Sequence, residues 1–290
     1  MLKLRSKKQH GEILMDFNKS IFENRKERKY PFLTAHRGVC GANVPCNTIA
    51  AYKIALAQGA DVVEIDVAKT KDGKFYVFHP GMEHVFLRSD RQIKDMYSYE
   101  LEEMFLVNQD GVKTSYKVPT LASVLEFLKG KAYINVDKFW TDVQGISNEI
   151  RKAGVEKQVI VKTYTDEKAL GEVAEFASDF MFMPLVRGKD TVTDMLLERG
   201  VNVIGAEILF SSENEECISD EYIKSMHDKG LLIWVNSIIY NEADVISAHH
   251  TDDVALAKDA DFGWGWLIDK GADFIQTDWL LMLKSYIANR

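Results

Sequence analysis

Eight segments of strand character alternate with eight of helical character between residues 32 and 288, and polar residues gather where the strands end. The chain has 290 residues, against the roughly 250 that a closed barrel of strands and helices usually takes. Together these predict an α/β fold, a TIM (β/α)8 barrel with a β-hairpin excursion after the second strand. An open, doubly wound sheet would usually need fewer strands.

The strands are expected at 32–36, 61–67, 132–137, 158–163, 180–185, 203–208, 231–236 and 273–277. Their bodies are mostly Val, Ile, Phe, Leu and Met, as buried strands require. Helices are expected near 48–58, 120–129, 141–153, 167–177, 189–199, 219–229, 258–270 and 279–288. The second strand runs into Thr70-Lys71-Asp72-Gly73, and an Asp-Gly pair between apolar runs signals a hairpin over 67–79. A two-residue loop would pair Lys71 with Lys74 and set His79 opposite Asp66. Residues 1–30 carry Lys3, Arg5, Lys7, Lys8, Lys19, Arg25, Lys26, Arg28 and Lys29 and read as a basic, solvated N-terminal arm. The barrel domain then occupies 31–290.

A net charge of −8 with no basic stripe excludes general nucleic-acid binding. Cys40, Cys46 and Cys217 form neither a disulfide framework nor a zinc pattern. No apolar run approaches the roughly 18 residues of a transmembrane segment, and the N-terminus lacks the apolar core of a signal peptide. A reduced, cytoplasmic protein is expected, with its oligomeric state left open.

The chemistry is concentrated at the strand ends: His36-Arg37, Glu64 and Asp66, Asp137, Lys162, Glu207, Trp234 and Asn236, Gln276 and Asp278. In a barrel these ends converge on one mouth, where catalytic groups sit. Glu64 and Asp66, two apart on an apolar strand, face the same way. Buried side by side they need compensation, and a divalent cation with oxygen ligands is the simplest. His36 and His79 flank them, and such a metal site suits phosphate-ester chemistry.

Ala35-His36-Arg37-Gly38, Asn47-Thr48 opening a helix, Gly59-Ala60-Asp61-Val62-Val63-Glu64-Ile65-Asp66-Val67, Thr70-Lys71-Asp72-Gly73 and Val77-Phe78-His79 resemble the glycerophosphodiester phosphodiesterase family. Weaker likenesses continue through Pro119-Thr120-Leu121, Ile134-Asn135-Val136-Asp137, Trp234-Val235-Asn236 and Gln276-Thr277-Asp278, covering roughly residues 31–287. The resemblance implies the same barrel and a small-molecule glycerophosphodiester substrate cleaved to glycerol 3-phosphate and an alcohol. It makes Glu64, Asp66 and Asp137 ligands of a divalent cation, Mg2+ or Ca2+ by the hardness of the oxygens. His36 and His79 become the acid–base pair, acting with water or a substrate hydroxyl as the nucleophile.

Arg37 is expected to hold the phosphate bidentately, with Lys162, Glu207 and Trp234 on the substrate side and Arg88 as a weaker phosphate partner. The chain departs from the family pattern in three places. Cys46 and Pro80 stand where the family has acids, and Phe139 occupies the family's lysine position, with Lys138 expected to face away and Lys162 to supply the missing charge. Phe262, Trp264 and Trp266 suggest core packing before a lid, and His249-His250 with Asp252-Asp253 suggests a solvated loop before a metal motif. A sphingomyelinase-D-like or lysophospholipase-D-like phosphodiesterase is the alternative within this fold. A catalytically silent phosphate-binding barrel is the alternative outside catalysis.

Overall fold

Nine strands are present in the computed structural model, which describes residues 16–241 and 243–290. They are β1 (Phe32–Ala35), β2 (Val62–Lys69), β3 (Phe75–Val77), β4 (Tyr133–Asp137), β5 (Val159–Thr163), β6 (Met181–Arg187), β7 (Gly205–Leu209), β8 (Leu232–Asn236) and β9 (Phe274–Thr277). Eight are parallel and close on themselves, because β1 pairs with both β2 and β9; β3 lies antiparallel to β2 as an appendage. The expected (β/α)8 barrel is therefore the fold, and each of its eight strands overlaps a segment expected from sequence.

The helices are α1 (Ile21–Lys26), α2 (Ile49–Gln58), α3 (Glu83–Leu87), α4 (Ser98–Glu102), α5 (Leu121–Leu128), α6 (Val143–Ala153), α7 (Glu167–Phe176), α8 (Thr193–Glu198), α9 (Asp220–Asp228), α10 (Asp252–Ala257), α11 (Trp266–Asp269) and α12 (Leu280–Ala288). Several start on side chains suited to capping: Thr48, Thr120, Asp142, Asp166 and Ser219 each accept a backbone N–H from the first turn. The helix expected over 258–270 is instead α10, a π-helical turn at Asp261–Gly265, and α11. A Cβ on Gly263 would lie 2.6 Å from the Ala255 Cβ, so the turn packs directly on α10. Residues 80–119, for which no elements are expected, hold α3 and α4 around a small core that includes Tyr76, Phe78, Leu87 and Leu101. Five-residue helices are too short to show a period.

Strand alternation divides the barrel into two apolar regions. Leu33, Val63, Ile65, Ile134, Val136, Val161 and Ile275 face the helices. Phe32, Val62, Tyr133, Ile160, Met183, Trp234 and Phe274 fill the interior toward the N-terminal ends. Two residues along each strand, the same inward face carries Glu64, Asn135, Lys162 and Gln276, so the interior turns polar as it rises to the mouth.

Two expectations need correction. The hairpin register is Val67↔Val77, Ala68↔Tyr76 and Lys69↔Phe75, and the Phe78 N–H donates to the Asp66 carbonyl at 2.9 Å. Asp66 therefore stands opposite Phe78, not His79. The turn spans Thr70–Lys74, because the Thr70 N–H and hydroxyl both bond the Lys74 carbonyl. The basic arm is solvated only in part where the structure describes it: Lys19, Lys26 and Lys29 are exposed, whereas Arg25 and Arg28 are drawn in under the barrel; Lys3, Arg5, Lys7 and Lys8 lie outside the described residues. A capping box between Ser20 and Glu23 starts α1, which buries Ile21 and Asn24 under the barrel. The Asn24 amide donates to the Tyr133 hydroxyl at 2.7 Å, Arg25 pairs with Asp273 at 2.7 Å, and Arg28 pairs with Asp61 at 2.6 Å.

Both acids are connectors. Asp61 also accepts the Leu33 N–H, and burial pushes its carboxyl up to about 6 despite Arg28. Asp273 accepts from Arg25, from the Ile233 N–H and from His227, joining α1, β8 and α9. Removing the cation in Arg28→Ala is expected to cost about 1–3 kcal/mol in urea unfolding, because Asp61 stays buried with fewer donors. His227 titrates above the ordinary histidine value, chiefly through its hydrogen bond to Asp273. A raised folded value stabilises fully below the unfolded value near 6.5 and is lost as pH rises through the folded one. The stability gap between wild type and His227→Gln should thus be wider at pH 5.5 than at pH 9. A gap that does not change with pH refutes the assignment.

Candidate active site at the barrel mouth

The chain after β1 turns sharply, and this turn builds the first wall of the site. Arg37 has φ 55° and Gly38 φ 79°. A Cβ on Gly38 would sit 2.9 Å from the Ala51 and Tyr52 side chains, so only glycine lets the turn press onto α2. The result points the Arg37 N–H at Glu64 Oε2 (2.7 Å) and its Nε at Asp66 Oδ2 (3.0 Å).

Glu64, Asp66 and Asp137 come together as expected: each offers an oxygen within 4.8 Å of the others. Register explains it, since β2 and β4 align Glu64 with Asn135 and Asp66 with Asp137. Glu64 and Asp66 are buried, and Asp137 is partly open. Burial, then Asp66 and Asp137, drives the Glu64 carboxyl well above the usual carboxylate range. Burial would also raise Asp66, but Arg37, His79 and Lys138 outweigh it and hold that carboxyl low. Asp66 Oδ1 and Asn135 Oδ1 are buried with no hydrogen-bond partner, as is Gln276 Oε1. Three hard carboxylates facing one another beside unpartnered amide and carboxylate oxygens fit a divalent cation of the Mg2+ or Ca2+ type.

Three residues with no role in the site expected from sequence belong to this shell. Asn47, at φ 56°, donates to Asp66 Oδ2 at 2.8 Å and is itself held by the Tyr52 hydroxyl at 3.0 Å. Its signal was its residue type just before α2, since Asn is among the few non-glycine residues that adopt the left-handed backbone readily. Asp278 accepts from His36 Nδ1 at 2.8 Å. Lys138 corrects an expectation outright: its φ of 60° swings it back to Asp137 Oδ2 at 2.9 Å instead of facing away. Burial works against its charge, yet Asp137 and Asp66 hold its ammonium above the usual lysine value.

His36, Arg37, His79, Glu64, Asp137, Lys138 and Glu207 all line one cavity of about 110 Å³ at the mouth, together with apolar side chains such as Trp140, Leu185 and Ile246. Lys162 and Trp234 do not. Lys162 is 1% exposed and pairs with Glu207 Oε2 at 2.7 Å, 3.0 Å above the Trp234 ring, in a layer beneath the cavity floor. Burial pushes its ammonium down against the pull of Glu207. Arg88 is also elsewhere, bonded to the Gly111 carbonyl.

Both nitrogens of His79 are buried without a hydrogen bond, and Asp66 Oδ1 lies 4.0 Å from Nε2. With Pro80 in the place of an acid, nothing anchors the ring. Burial sets its pKa below the ordinary histidine value. Cys46 is no nucleophile: its thiol contacts Cys40 and its pKa is raised well above the usual value, first by that contact and then by burial. The His250 region is not a solvated loop. His250 is fully buried between the Phe262 carbonyl (2.6 Å) and Glu213 (3.0 Å) and stacks on Trp266. Asp252 accepts from Ser237, Trp264, Thr277 and the Asp278 N–H, so this latch positions the acid that holds His36.

Fold and site together define a (β/α)8 barrel with a carboxylate–histidine mouth. The chain resembles the glycerophosphodiester phosphodiesterases, which its curated relatives and solved structural neighbours consistently are, and it shares their fold. A glycerophosphodiester phosphodiesterase of Caldanaerobacter subterraneus is 32% identical over 137 residues, 46% of this chain and 54% of the relative, so the match spans about half of that relative's length. A glycerophosphoryl diester phosphodiesterase of Parabacteroides distasonis superposes with a TM-score of 0.71 at 22% identity over 90% of this chain and 87% of that one. An Oleispira antarctica phosphodiesterase, solved with its product sn-glycerol-3-phosphate, gives 0.63 at 18% over 89% and 97%. Residues 182–287 also match the family model DUF4996, a domain of unknown function.

Calorimetric titration with Mg2+ or Ca2+ should show binding to wild type that is lost in Glu64→Ala, Asp66→Ala and Asp137→Ala while the circular dichroism spectrum is kept. Wild-type affinity in Asp137→Ala would move the third ligand to Asn135 or Glu207.

Proposed function

We propose that the chain hydrolyses glycerophosphodiesters to glycerol 3-phosphate and an alcohol, with Glu64, Asp66 and Asp137 holding Mg2+ or Ca2+ and with His36 and His79 as the acid–base pair. The observation that carries this is the three-carboxylate cluster, with Glu64 and Asp137 lining one cavity beside two imidazoles and the unpartnered Asn135 and Gln276 oxygens, and Asp66 buried behind them. When bound, the cation supplies charge neutralisation to a non-bridging phosphate oxygen.

The protein's own groups do the rest. Arg37 and Lys138 line the cavity as cations for the phosphate, with Lys138 taking the role expected of Lys162. Lys162, Glu207 and Trp234 serve the substrate side from below: Glu207 reaches the cavity and is oriented by Lys162 and by the Asn236 amide at 2.6 Å. Asp278 accepts from His36 Nδ1, which leaves Nε2 with its lone pair and favours His36 as the base. It takes a proton from the attacking oxygen as the new P–O bond forms. His79 gives a proton to the alcohol oxygen as the old P–O bond breaks. Its lowered pKa suits a group that becomes protonated only once the negative phosphate enters beside it. Three free cysteines fit action in the reducing cytoplasm, on a small molecule and not on nucleic acid.

His36→Ala and His79→Ala should each lose at least about 10²–10⁴-fold in turnover of glycerophosphocholine. With a p-nitrophenyl phosphodiester, whose alcohol leaves without a proton, His79→Ala should recover most of its loss and His36→Ala should not. Equal losses in both variants for both substrates sink the separate roles. EDTA should abolish turnover by wild type.

A further inference from the structure

A second cavity of about 780 Å³ lies beside the first and shares His36, Arg37, His79, Ile238 and Tyr240 with it. The walls of this groove come from segments that each follow a site residue directly. Met82 and Phe86 follow His79, Ile239 follows Asn236, and Trp279, Leu281 and Met282 follow Asp278. Four of these are exposed large apolar side chains: Ile239 (61%), Trp279 (54%), Leu281 (53%) and Met282 (46%). Scattered apolar residues are ordinary on a surface, but four gathered around one groove beside a site mark a binding surface. Among the described residues, the charged or titratable groups lining the groove are Arg37, Asp278 and the two histidines, which belong to the site, and Cys40, Cys46 and Tyr240.

We infer that this groove takes a single aliphatic chain, so that the preferred substrate is an amphiphilic phosphodiester with one alkyl or acyl arm. The inference rests on the phosphodiesterase reading above and names its substrate class. Three features carry it. A volume of about 780 Å³ is in the range of sites for whole ligands, roughly 300–1,000 Å³, and far exceeds what a choline or ethanolamine arm fills. Among the described residues the wall offers no carboxylate beyond Asp278 to attract a cationic head group. The groove also shares His36, Arg37 and His79 with the cavity proposed for the phosphate, so one ester arm of a bound diester would emerge beside its walls.

The test is chain-length dependence with the metal-loaded full chain, using substrates below their micellar concentrations. One series is glycerophosphoethanolamine N-acylated with chains of two to twelve carbons, which puts the chain on the departing alcohol. The other is lysophosphatidylcholine of six to twelve carbons, which puts it on the glycerol. In one series kcat/KM should rise about two- to four-fold per methylene until the groove is filled. The Ile239→Ser/Leu281→Gln/Met282→Gln variant should flatten that slope. Calorimetry with dodecylphosphocholine against glycerophosphocholine reads the groove without turnover, and the first should bind at least ten-fold more tightly. If short substrates are hydrolysed but neither rate nor affinity depends on chain length, the groove inference is overturned and the hydrolase reading stands. If chain-dependent binding is seen with no turnover of any substrate, the groove inference holds and the hydrolase reading fails. A stable dimer that the triple variant dissociates would overturn the groove inference, since a second copy would then cover these residues.

Discussion

Two carboxylates buried side by side on β2 are the constraint around which the mouth of this barrel is arranged. Ionised and unpaired, Glu64 and Asp66 would cost far more than a domain of this size can spare. The protein surrounds them with compensation from several elements: the Arg37 backbone and guanidinium from the turn after β1, the Asn47 amide before α2, and Lys138 after β4. All three residues sit at positive φ, so backbone strain is accepted to bring them in. Even so, Asp66 Oδ1 is left without a partner. The pair is partly compensated, and the open oxygen is where the proposed cation would supply the rest.

The two ends of the barrel use buried acids differently. At the floor, Asp61 and Asp273 tie the N-terminal helix to the strand entrances and are matched by Arg28, Arg25 and His227. At the mouth, Asp252 has no cation beside it; it is satisfied by hydroxyl, indole and backbone donors, and burial raises its carboxyl to about 6. The first arrangement closes the fold. The second fixes Asp278, and through it the His36 ring. Rigidity around one imidazole contrasts with the unanchored ring of His79, and the asymmetry is what separates a base from an acid in the proposed reaction.

The departures from the family pattern read consistently in three dimensions. Cys46 brings a neutral thiol where an acid would add charge to an already anionic cluster, and Asp66 keeps the Asn47 amide as a donor and the Arg37 guanidinium as an ion-pair partner. Pro80 leaves His79 free of a hydrogen-bonding neighbour. Lys138 restores a cation that a shift of one residue would have lost, because its left-handed backbone reverses the direction its side chain takes. Each change alters how a group is held without removing a carboxylate or an imidazole.

By itself the sequence determined the eight strands, the barrel, and the acids and histidines of the mouth. These follow from local facts: β-branched runs of strand length, a period of two that puts Glu64 with Asp66, and polar residues at the ends of apolar strands. Its errors fall where a single backbone angle or a distant partner decides. The hairpin register shifted by one because a five-residue turn replaced the two-residue loop that Asp72-Gly73 suggested. Lys138 and Lys162 exchanged their expected places, since φ at one residue and burial at the other do not show in residue type. The basic segment before β1 became a floor, and His250 with Asp252 became a buried latch, because both are satisfied by residues dozens to hundreds of positions away. The apolar groove beside the site belongs to the same class. It is assembled from three short loops that only barrel closure brings together, and no one of them is apolar enough to announce it alone.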